Sequence, residues 1–145
     1  MDFLKSMNVS SSALSANRKR MAVISSNLAN AQVTRTVEGG PYRKKEVVFS
    51  SEPARDRFSD ILEGELGESI QTVHASEVVT SNNPPILKYE PNHPEANEQG
   101  YVAYPNINTM VEMADMISTS RDYEANITAL QTAKSMALKA LEIGR

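Results

Sequence analysis

The chain has 145 residues, 40% hydrophobic and 23% charged, with a formal net charge of −3 and no cysteine. That length fits one compact domain or a small domain carrying extended arms. The composition excludes a membrane-embedded chain and one disordered throughout, and the missing cysteine excludes disulfide frameworks, thiol nucleophiles and cysteine zinc sites.

No stretch approaches the roughly 20 apolar residues of a membrane span. Met1–Asn8 carries an acid at position 2 and no apolar run behind it, so no secretory signal peptide is expected. All seven prolines lie between Pro41 and Pro105, and every glycine lies there too except Gly39 and Gly40 just before and Gly144 near the end. Residues 1–38 and 106–143 therefore lack both helix breakers, and all seven methionines fall within them. The chain reads as helix, broken middle, helix.

In the first segment Met7, Leu14, Met21 and Leu28 recur every seven residues. Phe3, Ser10, Asn17, Ile24 and Ala31 form the interleaved series. This 3.5-residue period marks a helix packed along a partner helix. Ser10 and Asn17 dilute the seam, and the many serines and asparagines lower helix propensity. Such a helix is not expected to stand alone.

The middle reads as short strands and turns. Lys45–Ser50, Ser69–Thr80, Ile86–Glu90 and Gly100–Tyr104 are strand candidates, and Arg57–Leu66 is a candidate short helix. Gly39-Gly40-Pro41, Asn82–Pro85 and Pro91–Pro94 read as turns. In the last segment Asn108 or Thr109 can cap a helix, and Thr109 with Glu112 has capping-box spacing. Met110, Met113, Ile117, Tyr123, Ile127, Leu130, Ala133, Ala137, Leu138 and Leu141 follow at helical steps, and Gly144 fits a C-terminal cap.

The expected fold is mainly α with a small β-containing insert. The long end helices pair as an antiparallel coiled-coil-like hairpin. Residues 1–34 and 106–145 would form a discontinuous helical core, and 35–105 the insert. Met7, Leu14, Met21, Ile24, Leu28, Ile117, Ile127, Leu130, Leu138 and Leu141 are the candidate packing and assembly positions.

Little points to chemistry. His74 and His93 lie near glutamates but lack metal-ligand spacing. No nucleophile elbow, P-loop or dinucleotide fingerprint occurs. Arg18-Lys19-Arg20 would spread over about 200° of a helix, too wide for one groove, and a pI near 5.4 argues against nucleic acid. Charge is nonetheless segregated: +3 over residues 1–32, +2 over 33–49, −7 over 50–108 and −1 over the remainder. A basic front and acidic middle suit either electrostatic stacking of copies or a solvated surface.

The sequence SNLANA at 26–31, with Asn27, Leu28, Ala29 and Asn30 following a heptad helix, resembles the N-terminal signature of flagellar axial proteins of the basal-body rod family. RTVEGGPYRKKEVVF at 35–49, with Gly39, Gly40, Pro41 and Tyr42, narrows the resemblance to a proximal rod subunit. Pro84-Pro85, LKYEPNHPEA at 87–96 and GYVAYPNIN at 100–108, with Pro105 and Asn106, do the same. The segment 120–144, with Tyr123, Glu124, Ala125 and Asn126, resembles the family's C-terminal helix motif. Val37 stands where a proline is usual, Thr80–Asn83 replaces an acidic turn, and Ser51–Ser76 matches little.

The resemblance implies a non-enzymatic subunit of the periplasmic rod, the drive shaft joining the inner-membrane ring to the distal rod and hook. It implies export through the flagellar type III apparatus without a cleavable signal. Implied partners are other copies, the proximal rod proteins FlgB and FlgF, and the adapter FliE, with no cofactor. A sibling rod subunit and a soluble helical adaptor or chaperone of flagellar export are the competing readings.

Overall fold

The computed structural model describes residues 3–53 and 71–143. Its elements in chain order are helix α1 (Phe3–Ala29), strands β1 (Lys45–Pro53), β2 (Gln71–Thr80), β3 (Ile86–Tyr89) and β4 (Tyr101–Tyr104), and helix α2 (Thr109–Ile143). At about 1.5 Å per residue the helices are roughly 40 Å and 52 Å long. The strands form two antiparallel pairs, β1 with β2 and β3 with β4. The fold is thus two long helices plus two small sheets.

The end of α1 is closed locally. The Asn30 side-chain amide donates to the Ser26 carbonyl at 2.8 Å, satisfying a carbonyl of the last turn. The chain then reverses in a tight loop in which Gly39 and Gly40 take φ of 88° and 76°, and the Tyr42 amide returns to the Val33 carbonyl at 3.1 Å. Both glycines lie in the left-handed region, which explains the Gly-Gly-Pro sequence.

β1 then runs back beside α1. β2 pairs with it from Lys45↔Thr80 to Pro53↔Gln71, with a bulge between Val48 and Phe49. Lys45 meets Asn27 at one end of this ribbon, and the Val73 amide meets the Ser12 hydroxyl toward the other. β1 therefore runs antiparallel to α1 and β2 parallel to it, and both strands pack against the helix. β1 is longer than the expected Lys45–Ser50 because pairing extends it to Pro53, whereas β2 lies within the expected Ser69–Thr80.

Two expectations need correction. Asn82–Pro85 is not a turn but an irregular connector between the two sheets. Consecutive prolines hold the preceding residues extended, and the Asn106 amide grips the connector at the Pro84 carbonyl, 3.1 Å away. The capping box is also absent: Asn108 caps α2, its Oδ1 accepting from the Met110 and Val111 amides at 3.1 and 3.4 Å, while Glu112 is engaged elsewhere. The Pro91–Pro94 turn is present. The helix expected over 57–66 and the cap at Gly144 lie outside the described residues.

The β3–β4 pair buries Val102 on one face and leaves Leu87 and Tyr89 exposed on the other. Gly100, with φ of 79°, supports it: a Cβ there would fall 2.8 Å from the Tyr89 ring. Among the described residues, the buried apolar side chains are Ala16, Ile24, Val102, Pro105 and Ala133. That is a thin core for so many ordered residues.

Candidate functional site

The helix pair organises the molecule. α1 packs along α2, and the end of α1 meets the start of α2 through Asn27 and Glu112, so the helices run antiparallel. The covered positions of α2 include Glu112, Met116, Thr119, Tyr123, Asn126, Leu130, Ala133 and Ala137, at alternating steps of four and three, with Asp115, Ser120 and Ile127 beside them. That is a seven-residue seam, but one built mainly of small and polar side chains.

α1 is covered more widely, because the β1–β2 ribbon flanks it as well. Met7, Leu14, Met21 and Leu28 are all half-buried, and Ile24 is buried. Its outward stripe, Asn8, Ser11, Ser15, Arg18, Ala22, Ser25 and Ala29, is small or polar. Arg18 and Lys19 are exposed, whereas Arg20 is half-buried.

The candidate positions on α2 divide. Leu130 and Ile127 are half-buried on the seam or at its edge. Ile117, Leu138 and Leu141 are exposed, at 55%, 53% and 71%, together with Met110, Met113 and Met136. Leu138 is uncovered because of its face: Ile117, Glu124 and Gln131, at the same heptad position, are exposed too. Leu141 lies beyond Ala137, the last covered position of α2.

At the junction of α1, β1 and α2 sits a buried polar node. Asn27 is 1% exposed and Glu112 2%. The Asn27 Nδ2 donates to Glu112 Oε2 at 3.1 Å and to the Lys45 carbonyl at 2.9 Å. Its Oδ1 accepts from the Lys45 amide at 3.0 Å and the Tyr42 hydroxyl at 3.1 Å. Lys45, offering one backbone donor and one acceptor, thus dictates which side of Asn27 is oxygen.

Glu112 Oε1 completes the node by pairing with Lys44 Nζ at 3.0 Å. That hydrogen bond is the main reason the Lys44 ammonium titrates above its ordinary 10.5, with Glu46, at 3.3 Å, adding to it and burial opposing. No buried side-chain polar atom lacks a partner among the described residues. A carboxylate this deep is tolerable only because it is paired and hydrogen-bonded.

Of the motif residues, Asn27 and Tyr42 meet in the node, and Asn30 closes α1 beside it. Leu28 is half-buried and Ala29 exposed. Gly39, Gly40 and Pro41 shape the loop that carries Tyr42, and Pro105 and Asn106 lead into α2. Tyr123 and Asn126 are half-buried on the seam, whereas Glu124 and Ala125 face away from it. Sequence reasoning missed Lys44 and Glu112 as partners. The available signal was a lone acid opening a heptad series on α2, read as a helix cap.

His74 and His93 are spent locally. Thr72 Oγ1 lies 3.2 Å from His74 Nε2, and the Glu95 amide donates to His93 Nδ1 at 3.1 Å. Among the described residues no cluster of three or more metal-ligating side chains occurs, and no helix is long and apolar enough to cross a membrane. The geometry suits packing and assembly.

Two family models match the chain. One described as "Flagella basal body rod protein" matches residues 7–35, and one described as "Flagellar basal body rod FlgEFG protein C-terminal" matches residues 98–143. They fall on α1 with its closing loop, and on β4 with α2. The flagellar basal-body rod protein FlgC of Bacillus subtilis strain 168 is 43% identical over 152 aligned positions, covering 100% of both chains. FlgC of Borreliella burgdorferi is 40% identical, covering 99% of this chain and 98% of its own. FlgC of Salmonella typhimurium LT2 is 40% identical over 145 positions, with 100% of both chains covered.

Proposed function

The chain belongs to the FlgC family of flagellar basal-body rod proteins, and we propose from that premise how its surfaces build the rod. It is a structural subunit of the flagellar basal-body rod and assembles with other rod components. In the proposed arrangement the helical core, residues 1–34 and 106–145, forms the inner layer of a helical tube in the proximal rod, and the 35–105 insert packs outside and contacts neighbours. Heterologous contacts between copies, repeated by a screw operation, give an open helical assembly.

The observation that carries this reading is the uncovered apolar surface of α2. Met110, Met113 and Ile117 near its start and Leu138 and Leu141 near its end are all exposed. A chain with so thin a core gains most from burying these against neighbours, each large side chain contributing about 2 kcal/mol. There the helices pack as a coiled coil between subunits, with Met7, Leu14, Met21, Ile24, Leu28, Ile127 and Leu130 supporting the seam from within. Torque passes through these contacts, so stiffness is the useful property and no cofactor is needed.

Neighbours in this scheme are further copies, FlgB, FlgF and the adapter FliE, reached after export through the flagellar type III apparatus. Mass spectrometry of hook–basal bodies purified from the native host tests it. The expected result is this polypeptide retained, through detergent and salt washing, at a fixed ratio to FlgB and FlgF. Its absence from basal bodies, with the protein left in the cytoplasm of flagellated cells, would favour an export adaptor instead.

A further inference from the structure

One of the two residue series on the α1–α2 seam has little shape to hold its stagger. Stepping by seven from Asn27 opposite Glu112 pairs Arg20 with Thr119, Ala13 with Asn126, and Ser6 with Ala133, and all of these positions are covered. None of these pairs offers a large apolar knob. A slip of one heptad would set Ala13 opposite Ala133 and Arg20 opposite Asn126, small and polar residues against small and polar residues again. In the other series Met116, Tyr123 and Leu130 stand against Val23, Ala16 and Val9. The slip would set Tyr123 against Val23 and Leu130 against Ala16, apolar against apolar again, so burial discriminates less than polar pairing does.

The node discriminates sharply. After that slip Asn27 would face Thr119, and Glu112 would run past the end of α1, away from Asn27 and from Lys44. Both Glu112 oxygens would lose their partners, and the Asn27 amide and the Lys44 ammonium would each lose one of two, keeping the Lys45 carbonyl and Glu46. The node also reaches beyond the helices. Asn27 holds both backbone groups of Lys45, the first residue of β1, so the position of the ribbon follows from the same atoms.

We propose that the Asn27–Glu112–Lys44 cluster is the register lock of this protein: it sets the stagger of α2 on α1 and the docking of β1 against both. Asn27 and Glu112 are positioning residues whose main effect is on which arrangement forms, more than on how stable a helix pair is. This goes beyond the rod reading, since the lock concerns contacts within one chain. It would determine the height at which the exposed apolar residues of α2 stand relative to α1 and its ribbon.

The absence of cysteine from the whole chain makes a clean test available. Two double-cysteine chains, Ala13→Cys with Asn126→Cys and Ala13→Cys with Ala133→Cys, report the observed and the slipped stagger. Each is expressed in the native host, treated with a short bifunctional maleimide, and scored for the internally cross-linked band. With the node intact only the first pair should cross-link. With the node made apolar, by Asn27→Leu, Glu112→Leu and Lys44→Met together, both pairs should. Cross-linking confined to the first pair after that change would overturn the proposal, and so would cross-linking of the second pair while the node is intact.

An isosteric exchange decides the matter even where the apolar variant does not accumulate. Asn27→Asp keeps the volume but turns a donor to Glu112 into a second carboxylate about 3 Å from the first, a disfavoured contact. Motility should be lost in Asn27→Asp and partly regained when Glu112→Gln is added, because the new amide donates in the reverse direction while the Lys45 carbonyl still faces a carboxylate oxygen at position 27. A silent Asn27→Asp would mean that Asn27 only fills space. No recovery in the double variant would mean that the contact to Lys45 matters and the one to Glu112 does not; either result overturns the lock.

Discussion

α1 and α2 are both long helices with heptad seams, yet they are finished to different degrees. α1 has α2 on one side and the β1–β2 ribbon on another, and what it leaves outward is small or polar. α2 has α1 on one side, and elsewhere exposes Met110, Met113, Ile117, Leu138 and Leu141. In the proposed rod, the difference says where neighbours would sit. The apolar positions of α1 are already half used inside the subunit, whereas several of those of α2 are uncovered.

The largest expected effect lies on the shared side. Leu28 is half-buried at the end of α1, beside the node, and Leu28→Asp places a charge where both the subunit and its assembly need burial. Swimming in soft agar should be abolished and basal bodies should lack the rod. Normal motility would mean that the covered side of α1 matters less than its burial implies.

Next comes the uncovered side. Leu138→Asp with Leu141→Asp touches no buried position, so the chain's own fold should change by no more than about 0.5 kcal/mol. Each leucine nevertheless forfeits about 2 kcal/mol of burial against a neighbour, and incorporation should fall by roughly tenfold or more per site. Quantitative immunoblots of basal bodies against whole-cell protein measure this. Equal loss of cellular protein and of incorporated protein would erase the proposed contrast between the helices.

Smaller effects probe the junction that joins them. Tyr42→Phe removes the hydroxyl that donates to Asn27 at 3.1 Å and should cost about 1 kcal/mol, read as a lower urea concentration for release of the subunit from purified basal bodies. The smallest effect is alkaline. Because Lys44 titrates above its ordinary 10.5 when folded, its contribution is complete below that value and declines as pH rises through the higher folded one. Release by urea should become easier above roughly pH 10.5, and Lys44→Met should flatten that part of the profile.

Much of this was legible beforehand because it depends on near neighbours. Two breaker-free segments of residues 1–38 and 106–143 dictated the helices, Gly39 and Gly40 marked a loop that uses positive φ, and β-branched runs flanked by turn residues located the strands. The motif residues Asn27 and Tyr42 were singled out, but not what they touch. Glu112 looked like half of a capping box because its spacing from Thr109 is local information, whereas its actual partner, Asn27, lies 85 residues away.

By itself, then, the sequence determined which stretches are helical or extended, which faces are apolar, and which family the chain resembles, since periodicity, backbone sterics and motif order all reside in the chain. Only the tertiary structure decided which apolar residues are consumed inside the subunit and which remain for neighbours. Leu130 and Leu138 belong to one helix and have the same chemistry. One is half-buried and the other exposed because α1, joined to α2 by a hydrogen-bonded node, covers one face of that helix and leaves the other uncovered.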